Sequence, residues 1–473
     1  MSKSEVKCRL DLNPTVRFHQ ILLEHFHADP NQLRRINDCI RRGAADRAIR
    51  FERDRALPLA VSAVILNESD VGYLADLTER LHAIVEHAIN WTLADPDRLV
   101  QHFPDHVRMA GNLARTRGLE SWQGYCRYDA VVTAGGSVKF IELNTCCPAG
   151  FLHAPDSAEI VLDAIQSLNG ALSLDGLTIG TLERGVLVDE MLAIERAAGQ
   201  EEELIALLND ENQLSNELEM MATAFQKRGR EVTMASAADL TYDGTTVRAA
   251  GRPVSLTWNK IRVSTADSPN HCWKSGFEHR YAPFLHALRD GAMVSVNNLV
   301  AATVAEDKNM LGLLYNPDYR AVLCDSDQQF IDGHVLWTAR LTPCRTVYRG
   351  RDIDLMPYVL NHPEQFVIKP ANEGRGFRVT VGRYASTDQW QTACTPDPAC
   401  PCVVQEYAEP AALPILSSSS AESPDVVLRN MCLTIAMGVV RGKYHGLFSR
   451  VAAGPVTNVG QAGMIQAVFV QRQ

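Results

Sequence analysis

Residues 366–382 combine a lysine, an acid and two glycines in an order that suits phosphate chemistry. The segment FVIKPANEGRGFRVTVG opens and closes with β-forming residues, which predicts a hairpin with a glycine-bearing loop. Lys369 ends the first strand, where its ammonium could reach polyphosphate oxygens held under Gly374 and Gly376. Glu373 could hold the Mg²⁺ ion that accompanies such phosphates. An ordinary surface hairpin would contain the same residues, so both interpretations stand at this point.

A second predicted hairpin carries oxygen donors. In CRYDAVVTAGGSVKFIELNT, two β-rich runs flank an Ala-Gly-Gly-Ser turn. Arg127 and Asp129 share one face of the first strand, and Glu142 and Asn144 share one face of the second. Pairing about the turn brings Asp129, Glu142 and Asn144 together as candidate Mg²⁺ ligands, with Arg127 beside the anion that the metal would bind. The alternative is a solvated polar face, although Glu142 lies within an apolar run.

Three further segments could complete an anion site. Lys308 lies in the middle of a predicted helix, NLVAATVAEDKNMLGLL. The predicted strand CVVQE ends in Gln405 and Glu406, a step that could offer partners to the edge of an adenine. Residues 454–463 are rich in Gly and Ala, and we expect them to close over a bound substrate, with Asn458 as a contact.

The elements around these residues fall into two kinds. Residues 1–120 are predicted to be mainly helical, because apolar residues recur three and four apart in 31–55 and 71–90. From residue 185, apolar runs alternate with a helical pattern, which predicts an α/β unit with a parallel sheet. The predicted elements of this unit are strands at 204–208, 231–234 and 254–263 and a helix at 216–228.

Two predictions concern the edges of these elements. Lys260 and Arg262 lie on one face near the end of a strand, where open α/β sheets bind ligands, but an exposed basic pair is equally compatible. Residues 411–424 are rich in Ser and Pro, which predicts a flexible surface loop.

Composition excludes several classes of protein. With 46% hydrophobic and 22% charged residues, the 473-residue chain is typical of a globular protein. A net charge of −10 argues against nucleic-acid or membrane-surface binding. The beginning of the sequence has no apolar signal segment, and the 12 cysteines show no complete zinc pattern, so a reducing, cytoplasmic location is expected.

Taken in order, these motifs resemble those of circularly permuted ATP-grasp enzymes, as in eukaryotic glutathione synthetase and the glutathionylspermidine synthetase domain. The resemblance covers residues 100–470 approximately and rests on six short motifs. They are RYD at 127–129, IELN at 141–144, EDK at 306–308, KPANEG at 369–374, VVQEY at 403–407, and SRVAAG to NVGQAG at 449–463.

The resemblance implies a role for each residue. Lys308 and Lys369 would hold the ATP phosphates under Gly374 and Gly376, and Gln405 and Glu406 would face the adenine. The implied magnesium ligands are Glu142, Asn144 and Glu373, with Asp129 added in the glutathionylspermidine-type pattern. Arg127 would steady the transferring phosphate, and Arg450 would hold a substrate carboxylate. Arg262 and Asn458 are further predicted substrate contacts.

The resemblance also implies an α/β (α+β) ATP-grasp fold in four parts. These are a helical N-terminal region (1–120), a metal-ligand hairpin (121–184), an α/β substrate domain (185–295) and nucleotide-binding subdomains (296–473). Homodimers are common in the resembling families, so a homodimer is an open expectation.

The predicted activity is an ATP- and Mg²⁺-dependent ligase that joins an amino acid or small peptide carboxylate to an amine, as in natural-product peptide biosynthesis. The central loop EGRGF and the C-terminal stretch depart from both named families, which bears on the substrate more than on ATP use. Alternatives are a glutathione- or glutathionylspermidine-type synthetase, a non-catalytic ATP-binding regulatory protein, a phosphotransferase and a purely structural protein.

Overall fold

The computed structural model describes residues 7–51, 55–107, 121–146, 148–167, 176–181, 184–209, 215–260, 277–374, 376–418 and 426–472. Over these residues, helices pack on several β-sheets in a mixed α/β (α+β) fold, as predicted.

The strands, in chain order, are β1 (Arg50–Phe51), β2 (Arg55–Ala56), β3 (Leu59–Asn67), β4 (Tyr125–Val132), β5 (Val138–Asn144), β6 (Leu177–Ile179), β7 (Leu204–Leu208), β8 (Val232–Ala235), β9 (Thr241–Tyr242), β10 (Val247–Ala249), β11 (Arg252–Asn259), β12 (Val294–Val296), β13 (Thr338–Arg340), β14 (Arg345–Tyr348), β15 (Arg351–Asp354), β16 (Phe366–Pro370), β17 (Thr380–Val381), β18 (Cys402–Glu406), β19 (Ala412–Ser418), β20 (Val426–Val440), β21 (Lys443–Ala452) and β22 (Met464–Gln471).

The α-helices are α1 (Asn13–Ala28), α2 (Pro30–Asp46), α3 (Glu68–Leu93), α4 (Pro96–His102), α5 (Ala154–Gln166), α6 (Arg184–Ala197), α7 (Ser215–Gln226), α8 (Phe277–Arg280), α9 (Ala282–Arg289), α10 (Asn309–Leu313), α11 (Pro317–Arg320), α12 (Asp325–His334), α13 (Leu355–Asn361) and α14 (Thr387–Cys394). A π-helical turn, Ala301–Ala305, precedes α10.

The largest sheet, called the main sheet below, has the order β19-β3-β22-β21-β20-β4-β5, with β6 on β22. Strand β19 also pairs with β20, which closes a ring of pairings through β3, β22 and β21. Strand β3 is buried on both faces: Val61 and Ile65 join one core cluster, and Ala60 and Val64 join the other. The core of the molecule therefore lies on both sides of this sheet.

The predicted hairpin with the oxygen donors is the edge of the main sheet. Strands β4 and β5 are antiparallel, Arg127 lies opposite Asn144, and Asp129 lies opposite Glu142. A register shift follows Asp129. The expected pairing is confirmed.

A second sheet forms the α/β unit. Strands β8, β7, β11 and β12 are parallel neighbours, as expected, and β10 and β9 extend the sheet in antiparallel fashion. Helix α7 follows β7 and leads to β8, which is the predicted strand–helix–strand order.

A third, antiparallel sheet has the order β13-β18-β16-β17. Strands β16 and β17 are the hairpin predicted around the glycine-bearing loop, with Val367 opposite Val381. Phe140 of β5 forms an isolated bridge to Val335, next to this sheet. The third sheet thus lies against the edge of the main sheet.

Helix α3 begins with a capping box. The Asn67 side chain accepts a hydrogen bond from the Asp70 backbone, and the Asp70 carboxylate accepts one from the Asn67 backbone. The predicted helix at 71–90 and a cap within 67–70 are confirmed, but the helix begins at Glu68, three residues earlier than predicted.

Two predictions of local structure are wrong in part, and one strand was not predicted. The helix expected at 31–55 ends at Asp46, and short strands follow it. The described part of 1–120 is mainly helical, as predicted, but it also contains β3, which the sequence did not indicate because a strand buried on both faces lacks alternation. Part of the loop expected at 411–424 is β19, held by β20; residues 419–425 lie outside the described residues.

No helix in the described ranges is long and apolar enough to cross a membrane.

Candidate active site

A cleft with a cavity volume of about 100 Å³ lies between the main sheet and the third sheet and opens to solvent. Nine predicted site residues line it: Glu142, Lys308, Lys369, Glu373, Gly376, Gln405, Glu406, Arg450 and Asn458. Residues separated by more than 300 positions in sequence therefore meet in one cleft.

Two lysines lie on the floor of the cleft. Lys308 follows the π-helical turn, and its backbone donates to the Ala371 carbonyl, 3.0 Å away. Its ammonium donates to the Glu373 carbonyl and lies 3.1 Å from the Glu142 carboxylate. Strand β16 carries Lys369, whose ammonium donates to Gln405 at 2.7 Å. The two ammonium groups are thus held by the strands and loop that form the cleft.

The two lysines differ in electrostatic environment. Burial lowers the pKa of Lys369 to about 8, and the attraction of Glu142 only partly offsets this effect. Burial also disfavours the charged form of Lys308, but the carboxylates of Glu142, Glu306 and Asp307 together outweigh it, and the pKa of Lys308 is raised. Lys308 has a close carboxylate partner, whereas the Lys369 ammonium donates to the neutral side-chain amide of Gln405. A bound polyanion would therefore stabilise the charge of Lys369 most strongly.

Gln405 and Glu406 direct their side chains to other protein groups. The Gln405 amide donates to Thr338 at 3.0 Å and accepts from Lys369. The Glu406 carboxylate accepts from Tyr348 at 3.1 Å and from Arg349. Both residues line the cleft, and their predicted role beside an adenine stays a prediction.

Arg127, Asp129 and Arg450 form a buried cluster behind the floor of the cleft. Arg127 donates to both carboxylate oxygens of Asp129, at 2.8 and 3.1 Å. Arg450, from β21, donates to the same carboxylate at 2.6 Å. Arg450 also lines the cleft, so the cluster connects the edge hairpin with the space that a ligand would occupy.

The residues around the cleft fit a Mg²⁺ ion that is bound by protein carboxylates and phosphate oxygens together. Glu142 and Glu373 line the same space. Magnesium is usually held by one or two carboxylates together with substrate phosphates and water. In the described ranges, no group of three or more His, Cys, Asp or Glu residues has the arrangement of a complete metal site. The cleft could therefore hold Mg²⁺ with a nucleotide, with Glu142 and Glu373 as its protein ligands.

Two further predicted residues, Asn144 and Gly374, are not among the described residues that line the cleft. The amide of Asn144 lies 3.5 Å from the Arg127 carbonyl. Asn458 lines the cleft but caps a short 3₁₀ turn by accepting from Gly460. Arg262 lies outside the described residues.

Lys260 is buried, so the alternative in which Lys260 and Arg262 form an exposed basic pair is wrong for Lys260. Its ammonium is buried and lies 2.9 Å from the Glu217 carboxylate. It also lies over the Trp258 ring, 4.8 Å from the centroid. Since its charge is already balanced by Glu217, the structure does not favour Lys260 as an anion-binding residue.

Sequence reasoning missed the part played by Glu306. Its half-buried carboxylate accepts from the backbone of Thr145 and from that of Cys146, at 2.7 Å for Cys146. Burial raises the pKa of Glu306, although these backbone donors oppose the effect. Glu306 thereby fixes the chain just after the strand that carries Glu142. The EDK motif, in which Glu306 precedes Lys308 by two positions, was the available signal.

The fold resembles that of a glutathione synthetase-like effector from Globodera pallida, solved in its apo form. The two structures superpose with a TM-score of 0.62 over 93% of this chain and 98% of that chain. Only 10% of the residues are identical, so the likeness shows the fold alone. No protein-family profile matches the sequence, and no curated protein sequence matches it.

Proposed function

We propose that this chain is an ATP-grasp ligase of the circularly permuted type. It would bind ATP and Mg²⁺ and join the carboxylate of an amino acid or small peptide to an amine. The observation that carries the proposal is the meeting of Lys308, Lys369, Glu142 and Glu373 in one cleft between two sheets. The shared fold with a glutathione synthetase-like protein supports it.

The chemistry follows from the charges in this cleft. A carboxylate is a poor electrophile, and transfer of a phosphoryl group from ATP converts it to an acyl phosphate. An amine then attacks the acyl carbon, and phosphate leaves to give an amide. Bringing a carboxylate to a triphosphate requires cations, which the two lysines and Arg450 provide. Mg²⁺, when bound, would screen the phosphate charge.

The residues of the chain would mainly position and screen the reactants. Lys308 and Lys369 would hold phosphate oxygens from the floor of the cleft, and Arg450 would face the reacting anion. The apolar wall formed by Val131, Ile141, Leu336 and Val367 would pack against a flat base. The departures from the two named families favour a specialised biosynthetic ligase over glutathione synthesis.

A second candidate is a non-catalytic ATP-binding protein. One observation favours it: Arg127 and Arg450 already donate hydrogen bonds to the Asp129 carboxylate. This leaves three of the four predicted metal ligands for an ion. This candidate predicts nucleotide binding without turnover, whereas the ligase releases ADP in the presence of an acid and an amine.

The test is calorimetric titration with ADP or a non-hydrolysable ATP analogue, in Mg²⁺ and in EDTA. We expect Mg²⁺-dependent binding to the wild type and its loss in the Glu142→Ala/Glu373→Ala variant. A matched control, Glu364→Ala/Glu409→Ala, removes two exposed carboxylates that do not line the cleft, and should bind as the wild type does.

Absence of binding by the wild type in every condition would contradict the proposal. If binding is found, ADP release over a panel of amino acids and short peptides, each with and without amines, separates the two candidates. ADP formed with an acid and an amine supports the ligase, and binding without ADP formation supports the non-catalytic protein.

A further inference from the structure

Asp129 occupies an unusual place beside the cleft. Its side chain has no exposed surface, and its two carboxylate oxygens accept three hydrogen bonds from two arginines. Arg127 binds both oxygens from the same strand, two positions away. Arg450 reaches one of them from β21, 321 residues later in the chain.

These bonds conflict with a metal-ligand role for Asp129. A divalent cation at this carboxylate would have to displace charge-assisted hydrogen bonds, which are among the stronger ones in proteins. It would also lie beside two guanidinium groups in a buried setting, where like charges repel strongly. The carboxylate of Asp129 is therefore already committed to the two arginines.

The second arginine is the one that faces a ligand. The remaining guanidinium nitrogen of Arg127, Nη1, donates to the Ala149 carbonyl. All three guanidinium nitrogens of Arg127 therefore form hydrogen bonds within the protein. Arg450 lines the cleft, its side chain is 7% exposed, and its Nε is a buried donor with no hydrogen-bond partner. Because this Nε has no accessible surface, an oxyanion in the cleft would contact the exposed part of the Arg450 side chain, whose guanidinium the bond to Asp129 holds in place.

We propose that Asp129 is a positioning residue that fixes the guanidinium of Arg450, and that Arg450 so held receives an oxyanion in the cleft. The oxyanion is the transferring phosphoryl group, and any Mg²⁺ is held without Asp129. This inference rests on the proposed nucleotide binding.

The test compares Asp129→Asn with Glu142→Gln, two substitutions that each remove one negative charge at nearly constant shape. The probes are Mg²⁺ with ADP, and ADP with aluminium fluoride as a mimic of the transferring phosphoryl group. For Asp129→Asn we expect an unchanged Mg²⁺ midpoint for ADP binding, but about tenfold or greater loss of the fluoroaluminate complex. For Glu142→Gln we expect the Mg²⁺ midpoint to rise by about tenfold.

Several outcomes overturn the inference. A Mg²⁺ midpoint that rises in Asp129→Asn as it does in Glu142→Gln would make Asp129 a metal ligand. A lower melting temperature with an unchanged fluoroaluminate complex would reduce Asp129 to a structural role. A wild type that binds ADP but never traps fluoroaluminate would exclude the oxyanion site. A wild type that binds no ADP would instead refute the proposed function.

Removing Asp129 alone leaves two buried arginines without their carboxylate, which could prevent folding. The variant Asp129→Asn/Arg127→Gln removes one charge of each sign and guards against this outcome. It too should keep the wild-type Mg²⁺ midpoint, and a raised midpoint would overturn the inference.

Discussion

At the scale of single residues, the environment of Lys369 makes nucleotide binding sensitive to pH. Burial lowers the pKa of Lys369 to about 8, so the free protein loses this charge as the pH rises through 8. A bound polyphosphate favours the charged lysine and raises the pKa. Binding of ADP with Mg²⁺ should therefore weaken above pH 8, by at most about tenfold per pH unit.

The matched variant for this prediction is Lys369→Arg, because arginine stays protonated throughout this range. Calorimetry between pH 7 and 9 should show a steep loss of affinity for the wild type and a flat profile for the variant. Near pH 8 the wild type should also take up a proton on binding, seen as a dependence of the heat on the buffer. Equal profiles for both proteins would show that Lys369 is not the titrating group.

The candidate site was predictable where its chemistry was local in sequence. Lys369 and Glu373 belong to one hairpin, and the register of Asp129 with Glu142 followed from the turn between their strands. The contact of Arg450 with Asp129 was not predictable, because it depends on how β21, β20 and β4 align across the main sheet. The metal-ligand role of Asp129, which the hairpin and the resemblance predict without this contact, stays a prediction.

At the scale of elements, the glycine-bearing loop and the segment at 455–461 touch at Gly376. This glycine has φ of +70°, and a Cβ there would lie 3.1 Å from Val456 and 3.3 Å from Asn458. Gly376→Ala should therefore push the two segments apart and weaken the retention of nucleotide in the cleft. Dissociation of a fluorescent ADP analogue, followed by stopped flow, measures this effect.

Gly350 provides the control for backbone strain. Its φ is +73°, but a Cβ there would meet nothing within 4 Å. Gly350→Ala should cost about 1 kcal/mol of stability and leave nucleotide release unchanged. If both variants released nucleotide at the same rate, contact between the loop and the C-terminal segment would play no part.

Elements were predictable where one face is polar and were missed where burial is complete. Helix α3 shows three-and-four spacing and a capping box, so its position followed from the sequence. Strand β3 packs apolar residues on both sides of the main sheet and has no alternating pattern. In β19, Pro414 and the serines resemble a loop, but pairing with β20 overrides that local preference.

At the scale of the whole molecule, buried histidines should make the fold sensitive to acid. His19 joins α1 to the main sheet through Thr15 and Ser62, and burial lowers its pKa to about 4. The unfolded chain binds this proton more tightly than the folded chain does. The contribution of neutral His19 to the free energy of unfolding is thus fully present above pH 6.5. It is lost as the pH decreases toward 4, and the loss is about 3 kcal/mol at most.

His19→Gln tests this prediction because glutamine can form hydrogen bonds but does not titrate. Melting temperatures at pH 7.5 and pH 5 should differ less for the variant than for the wild type. A difference of equal size in the two proteins would assign the acid sensitivity to other groups, of which His82 is one, since burial also lowers its pKa to about 4.

The α+β class was predictable at this scale, and the division of the chain into four parts stays a prediction. What the motifs could not convey is that the main sheet takes its strands from residues 59–67, 125–144, 177–179 and 412–471. Local patterns report which segments are strands, but the order of strands depends on packing between segments far apart in sequence.

The pairing of β3 with β22 sets the order of events while the chain is being made. Gln466 donates to Ser62, 404 residues earlier, and the two strands are parallel neighbours in the main sheet. At about 5–20 residues per second, a ribosome needs roughly 20–80 s to travel that distance. During this interval β3 lacks both of its strand partners, β22 and β19, so its backbone hydrogen-bonding groups and apolar side chains are without these native contacts.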